Sequence, residues 1–311
     1  MKTRRPSHLK KAAFALPMVL WTVALLTSVI LLLVGVIQGW VAEESHEGKV
    51  FRARQQALSG IAVAMNPSIL PGDPLLEHRD KEGEGYKVVL KNESGLINPN
   101  TWLSANRRDL FNRLFTAWGL DITRCNAASD GLYDWQSPSP FRSLNGAKQP
   151  EYDAIGRSGL PPGTPFLSPD EMAWVIGFNP VAKARPDWKE FFTTYYSGKI
   201  NILYAPKTIL TDLLGLSPAQ ANAWIMLRDG KDGIEGSGDE PQIGSINEAA
   251  DLIGANGSQR TLILDFCDIT GSVRRIESTG FCHGVSHRIV VVGASTQNTQ
   301  AGGSMLGWSE Q

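Results

Sequence analysis

Two histidines four residues apart, His283 and His287, are the first place in this 311-residue chain where metal chemistry could be done. On a helix that spacing would put both imidazoles on one face, as in the zinc-protease pattern H-E-x-x-H. Here the residue after His283 is Gly284 rather than Glu, and the surrounding FCHGVSHRIVVV is β-rich. A turn carrying two solvated histidines is the expectation. Three cysteines, Cys125, Cys267 and Cys282, cannot all pair with one another. Cys267 and Cys282 are the closest two in a strand-rich stretch and form the candidate disulfide, with three free thiols as the alternative. The acidic loop from Asp229 to Glu240 could hold an ion, yet it fits no calcium-loop spacing. No G-x-S-x-G elbow or phosphate loop occurs, and no motif places a carboxylate pair. No catalytic residue is assigned, and the chain is expected not to be an enzyme.

The element that must position everything else is at the N-terminus. From Ala12 to Ala42 there is no charged side chain, and the run opens FALPMVLWTVALLTSVILLLVGVIQGW behind the basic leader MKTRRPSHLKK. A membrane span needs about 20 apolar residues, and this run exceeds that. Lys2, Arg4, Arg5, Lys10 and Lys11 precede it, and Glu43, Glu44 and Glu47 follow. The positive-inside bias predicts a single-pass protein with its N-terminus in the cytoplasm and the bulk of the chain on the far side. A secretory signal is a poorer reading, because its apolar region spans only about 7–15 residues before a small-x-small cleavage site.

Beyond the span, EGKVFRARQQALSGIAVAM (47–65) repeats its apolar residues at spacings of three, four and seven, which predicts a continuation of the membrane helix. Pro67, Pro71 and Pro74 end it. Tyr86 to Leu90 alternates and predicts a strand. Two rough copies of one helical unit follow, at about 94–177 and 197–254. SGLIN at 94–98 recurs as SGKIN at 197–201, and EMAWVIG at 171–177 as EAADLIG at 248–254. Strands are expected near 260–268, 272–279 and 287–294, with Gly271 in the first turn of that meander. A net formal charge of −1 gives no electrostatic footprint for nucleic acid.

Two stretches carry a resemblance to known families. The junction Lys10-Lys11-Ala12-Ala13-Phe14-Ala15-Leu16 resembles the processing site of type IV pilins and pseudopilins, which implies cleavage between Ala13 and Phe14 by a prepilin peptidase. Ala13 stands where Gly is usual, and Met18, fifth in the mature chain, stands where most pilins carry Glu. The order ESGLIN, LYDW, the Asn145-Gly146 turn, PFLSPDEMAWVIG, YYSGKIN–AP and LLGLSPAQANAWIMLRDG resembles the K component of the general secretion pathway, the K-type minor pseudopilin of type II secretion systems. That family also lacks the Glu.

The resemblance implies an α+β fold: a long N-terminal transmembrane helix and a pilin-like antiparallel sheet with an inserted, mostly helical domain of SAM-like or helix-hairpin-helix-like type. Its expected parts are a leader (1–13), a transmembrane helix (14–41), an extension of that helix and the start of the sheet (42–98), and the inserted helical domain (99–192). A second helical unit with the C-terminal strands would complete the chain (193–311). Strand 86–98 and strand 191–203 would flank the insertion, and helix 207–229 would return against the sheet. The implied role is at the tip of the pseudopilus in the bacterial inner membrane. The implied partners are the I- and J-type minor pseudopilins, the major pseudopilin, the prepilin peptidase, the inner-membrane assembly platform and membrane lipid. No cofactor is implied beyond calcium, which the family can bind through acidic residues around its DW motif. Here Asp134-Trp135 is followed by Gln136, Ser137 and Pro138, which removes much of the hard oxygen ligation.

The rival reading comes from ILTDLLGLSPAQANAWIMLR, which resembles a DNA-binding helix-hairpin-helix and would make the chain a membrane-anchored receptor for DNA uptake. Pro218 removes a backbone donor from the hairpin. Between 197 and 254, Lys199, Lys207, Arg228 and Lys231 face eight acidic side chains, a net of −4 that would repel phosphate.

Overall fold

The computed structural model describes residues 15–294 and 304–310. One helix, α1 (Ala15–Ala64), runs 50 residues from the apolar segment into the folded body, passing through Gly48 and Gly60 without a break. It stops at Met65, because Asn66 precedes Pro67 and that position disfavours helical backbone. Two strands follow, β1 (Glu77–Arg79) and β2 (Gly85–Asn92). Then comes a long helical excursion: α2 (Pro99–Ser104), α3 (Arg108–Ala117), α4 (Ile122–Gln136), α5 (Gln149–Ala154), α6 (Asn179–Ala184), α7 (Pro218–Arg228), α8 (Ile246–Ile253) and α9 (Gly257–Phe266). Two-residue strands β3 (Ile200–Asn201) and β4 (Cys267–Asp268) pair in parallel at its base. The chain then returns through β5 (Val273–Cys282), β6 (Val285–Ala294) and β7 (Met305–Glu310).

The main sheet is antiparallel in the order β1-β2-β5-β6-β7. Its register sets Tyr86 opposite Gly280, Val88 opposite Ser278, and Ile289 opposite Ser278 from the other side. Alternation therefore delivers Val88, Ile276, Ile289 and Val291 to one face, where they bury against Ala57, Ile61 and Ala64 of α1. The helix approaches closely because both sides are small. A Cβ on Gly280 would collide with the backbone of Ala53 and Ala57, and one on Gly60 would meet Val88 and Tyr86 at 2.8 and 2.9 Å.

The helical body has its own core, continuous from Ile97 to Cys267 and rich in aromatics. Phe111 stacks on Phe192 with ring centroids 6.3 Å apart, and Phe178 meets Trp188 edge-on at 4.8 Å. Residues of both 94–177 and 197–254 feed this one core, but the two matched segments fold differently: 171–177 leaves a 3-10 turn (Pro169–Trp174) and ends at Gly177 (φ 97°), whereas 248–254 is an α-helix capped by Gly254 (φ 70°).

Several expected boundaries differ here. No strand spans 191–203: Phe192 forms only an isolated bridge to Ile97, and Ile200–Asn201 pairs with β4 instead of the main sheet. Residues 260–266 are helix, because Gln259, Leu262, Ile263 and Phe266 recur at helical spacing toward the core. The segment 207–229, with Leu210, Leu213, Ala221 and Trp224, packs within the helical core rather than against the sheet. The insertion between β2 and β5 thus extends past 192 to the end of α9. The β5–β6 turn is His283-Gly284, at φ 45° and 84°, the two left-handed positions of a type I′ hairpin.

Candidate functional site

The outer part of α1 has no partner among the described residues. From Pro17 to Gly35 its mean hydropathy is 2.5 and none of it is buried by the rest of the chain. Its three hydroxyls are turned inward on the helix. Thr22, Thr27 and Ser28 donate to the carbonyls of Val19, Val23 and Ala24 at 2.8, 2.7 and 2.9 Å. No hydroxyl hydrogen in that run is left to demand water. Met18 is 71% exposed beside Leu20 and Trp21, so a carboxylate there would face whatever surrounds the helix. The Ala13–Phe14 junction lies outside the described residues.

Where the sheet's back face meets the helical body there is a cleft of about 500 Å³. Its floor is a network of charges. Arg275 reaches Glu93 at 3.0 Å and Glu277 at 2.6 Å, Lys91 lies 3.5 Å from Glu277, and Arg288 also pairs with Glu277. Glu93 and Glu277 are 3% and 8% exposed, so each carboxylate is held by guanidinium partners rather than by water. Burial pushes the Glu277 carboxyl up, but Arg275, Lys91 and Arg288 outweigh it and hold the group below its ordinary value. The cleft is lined by Lys91, Lys189, Arg275 and Arg288 against Glu93, Glu190, Glu235 and Glu277. Four charges of each sign give no preference for an anionic or cationic ligand. The network ties β2, β5 and β6 to the start of the helical body.

Both loops considered for a cation already contain one supplied by the protein. Next to Asp134-Trp135, the Lys148 ammonium is buried and donates to the carbonyls of Asp134 and Ser137 at 2.6 and 2.7 Å. The Asp134 carboxylate accepts from the Ser143 amide and hydroxyl at 2.8 and 2.9 Å. Asp130 accepts from Arg108 and from the amide and side chain of Asn145. Burial depresses the Lys148 ammonium while Asp134 props it up, and burial raises the Asp134 carboxyl despite the Ser143 donors. Calcium takes six to eight oxygens, and these oxygens are already accepting bonds, so the residues present do not fit that ion. The acidic loop behaves alike. Arg228, 7% exposed, donates to the Ala205 carbonyl at 2.7 Å and pairs with Asp229 and Glu235 at 2.9 and 3.0 Å. Desolvation lifts the Glu235 carboxyl to about 7 even so. Sequence reasoning missed Lys148 and Arg228, whose only sequence signal is a basic residue near an acidic run.

The hairpin that resembled a DNA clamp spends its donors internally. The Ser217 amide donates to Gln220 Oε1 at 3.0 Å, and the Gln220 amide to Ser217 Oγ at 3.2 Å, a reciprocal cap. Gln259 and Arg113 donate to the carbonyls of Gly215 and Leu213 at 2.8 and 2.6 Å.

The cysteine pairing is corrected. Cys125, Cys267 and Cys282 are all free and buried. Cys267 belongs to the helical core, whereas Cys282 ends β5 at its opposite end. The ten residues of β5 separate them, roughly 30 Å at about 3.3 Å per extended residue, far beyond disulfide reach. The two histidines part company as well. His283 Nε2 is 3.1 Å from Glu84, while His287 Nε2 is 3.2 Å from Glu310.

No family model and no curated protein matches the chain. Among solved structures, its fold is similar to that of a chain in the crystal structure of the GspK-GspI-GspJ complex from the type 2 secretion system of enterotoxigenic Escherichia coli. The superposition has a TM-score of 0.63 at 12% sequence identity, covering 87% of this chain and 98% of that one. The chain has a GspK-like fold. At that identity the likeness is one of architecture, a mixed fold of helices and antiparallel sheet.

Proposed function

We propose that this chain is a minor pseudopilin of a type II secretion system, a structural subunit rather than an enzyme, anchored in the bacterial inner membrane with its bulk in the periplasm. The observation that carries the proposal is coverage. The likeness to a chain of a secretion pseudopilin complex covers 87% of this chain and 98% of that one. The bare outer half of α1 supports an anchor, since an apolar surface of that size is unfavourable in water.

On this reading the chain sits at the pseudopilus tip with I- and J-type partners above the major pseudopilin, after removal of residues 1–13 by the prepilin peptidase. Two features support the tip. Met18 offers no charge to a neighbouring subunit's amine, and the inserted body is too bulky to be covered by a subunit stacked above. The helix-hairpin-helix alternative is less well supported, because its amides and carbonyls are engaged within the fold.

The test is labelling of overexpressed pseudopili together with Met18→Glu. Signal confined to one filament end is expected, and Met18→Glu should impair secretion or leave it unchanged, since the new carboxylate gains no amine and sits in an apolar surround. Signal along the shaft, or improved assembly with Met18→Glu, would overturn the tip assignment. Loss of processing in a peptidase-deficient strain, seen as a protein heavier by residues 1–13, checks the leader.

A further inference from the structure

At the end of the sheet nearest residues 49–52 of α1, three groups of different chemistry converge that no role above uses. Glu84 lies just before β2, Cys282 ends β5, and His283 opens the β5–β6 turn. Glu84 Oε1 is 3.1 Å from Cys282 Sγ and 3.1 Å from His283 Nε2, and the three ligand atoms all lie within 4.8 Å of one another. The β2–β5 register enforces this, since Gly85 pairs with Phe281 and so brings Glu84 level with Cys282. Cys282 is fully buried, the Glu84 side chain is 15% exposed and that of His283 is 42% exposed. One side of the cluster is therefore closed and the other open.

The geometry points to a binding site for a borderline divalent cation of the zinc type, held by Glu84, Cys282 and His283 with a water in the fourth position. A tetrahedral zinc ion with sulfur at about 2.3 Å and nitrogen or oxygen near 2.1 Å spaces its ligand atoms about 3.4–3.6 Å apart. The observed separations reach that by small side-chain rotations, with no strand moved. The ligand set selects the ion. A thiolate and an imidazole are poor ligands for calcium or magnesium and good ones for zinc or cobalt.

The charge balance is explicit. In the metal-free protein the Cys282 thiol donates to Glu84, and burial together with that carboxylate keeps the proton on sulfur. On binding, that proton is released, the sulfur–metal bond replaces the S–H bond, and Glu84 turns its oxygen to the ion; neutral His283 binds through Nε2 without losing a proton. Arg52 opposes the ion from 3.5 Å off Glu84, but its side chain is 66% exposed and can swing into solvent. The nearby Arg52 and Lys49 also favour the thiolate. The bound ion would staple the β1–β2 turn to the β5–β6 hairpin, at the end of the sheet that faces the emerging helix.

The full-length chain in detergent is titrated with Zn2+ alone by calorimetry in two buffers of different ionisation heat, and with Co2+ followed by absorbance. One ion per chain, about one proton released and a thiolate-to-cobalt charge-transfer band are expected. Cys282→Ser should abolish the band. His283→Asn, which keeps a residue tolerant of the left-handed turn, and Glu84→Gln should each weaken binding at least about tenfold. Cys125→Ser and Cys267→Ser should leave the band intact, with circular dichroism confirming that each variant is folded. Absence of the band in the wild-type chain overturns the site, as does a band that survives Cys282→Ser or depends on Cys267.

Discussion

The two halves of α1 have the same backbone and opposite surroundings. From Pro17 to Gly35 every described side chain is exposed, and a Cβ added at Gly35 would meet nothing within 4 Å among the described residues. From Ala53 to Ala64 the same helix is seated so closely on the sheet that hydrogen atoms on Gly60 and Gly280 are all the space allows. The outer half is apolar all round, as a helix surrounded by lipid or by like helices must be. The inner half is apolar on one stripe, Ala53, Ala57, Gly60, Ile61 and Ala64, with Arg52 and Gln55 turned outward. One continuous helix therefore joins a surface whose partner must come from elsewhere to a surface completed by the fold.

The strongest way to break that contrast is to place the same bulky residue on each side of it. Gly280→Val drives a side chain into the backbone of Ala53 and Ala57, which cannot move without unseating the helix. It should cost about 3 kcal/mol or more and lower the melting temperature of the purified protein markedly. Gly35→Val, with nothing within 4 Å of it, should leave the melting temperature unchanged. Equal effects of the two would mean that helix and sheet do not meet in this register.

A smaller effect of opposite sign comes from the two glycines that lie in α1 nearer the sheet. Gly48 has open space around it, so Gly48→Ala should stabilise the helix by about 0.5–1 kcal/mol through backbone entropy alone. Gly60→Ala gains the same propensity but must push Ser278, Val88 and Tyr86 apart, and should destabilise by about 1–2 kcal/mol. Urea midpoints of the two variants moving in opposite directions would locate the point where the helix lands on the sheet.

How much of this was legible follows from the same physics. Strand β2 alternates because one of its faces meets α1, and that alternation was visible, whereas β6 buries Val290 and Val292 on the other face as well and reads as an apolar run. Strand β1, Glu77-His78-Arg79, is wholly exposed and left no pattern. The run TLILDF in α9 reads as a strand because its leucines and isoleucine are contiguous, and only the core contacts of Leu262, Ile263 and Phe266 reveal the helical period. The cysteine partner was sought among neighbours in sequence, whereas the group that meets Cys282 is Glu84, 198 residues earlier. No local motif can carry a contact made by register. The two internal cations were invisible for the same reason: Lys148 is eleven residues from the nearer carbonyl it satisfies, and Arg228 is seven from Glu235.

The subtlest test concerns how the inner half of α1 is tied to the last strand. Arg54 forms a forked pair with Glu310 at 2.8 and 2.9 Å, joined there by Trp308 and His287. The Arg54 hydrogen bond, then that of Trp308, holds the Glu310 carboxyl at about 2, below its ordinary 4.5. A depressed carboxylate binds fewer protons in the folded than in the unfolded chain, so its contribution is complete above pH 4.5 and fades as pH falls toward about 2. The site is at the surface and screened by salt, so the effect is small. Other carboxylates titrate over the same range, and the informative quantity is the difference between the wild-type chain and Glu310→Gln. Their urea midpoints should lie furthest apart above pH 4.5 and converge in acid. A gap that stays constant down to pH 3 would mean that β7 is held to α1 by its backbone ladder and packing, with the ion pair contributing nothing to the seat of the helix.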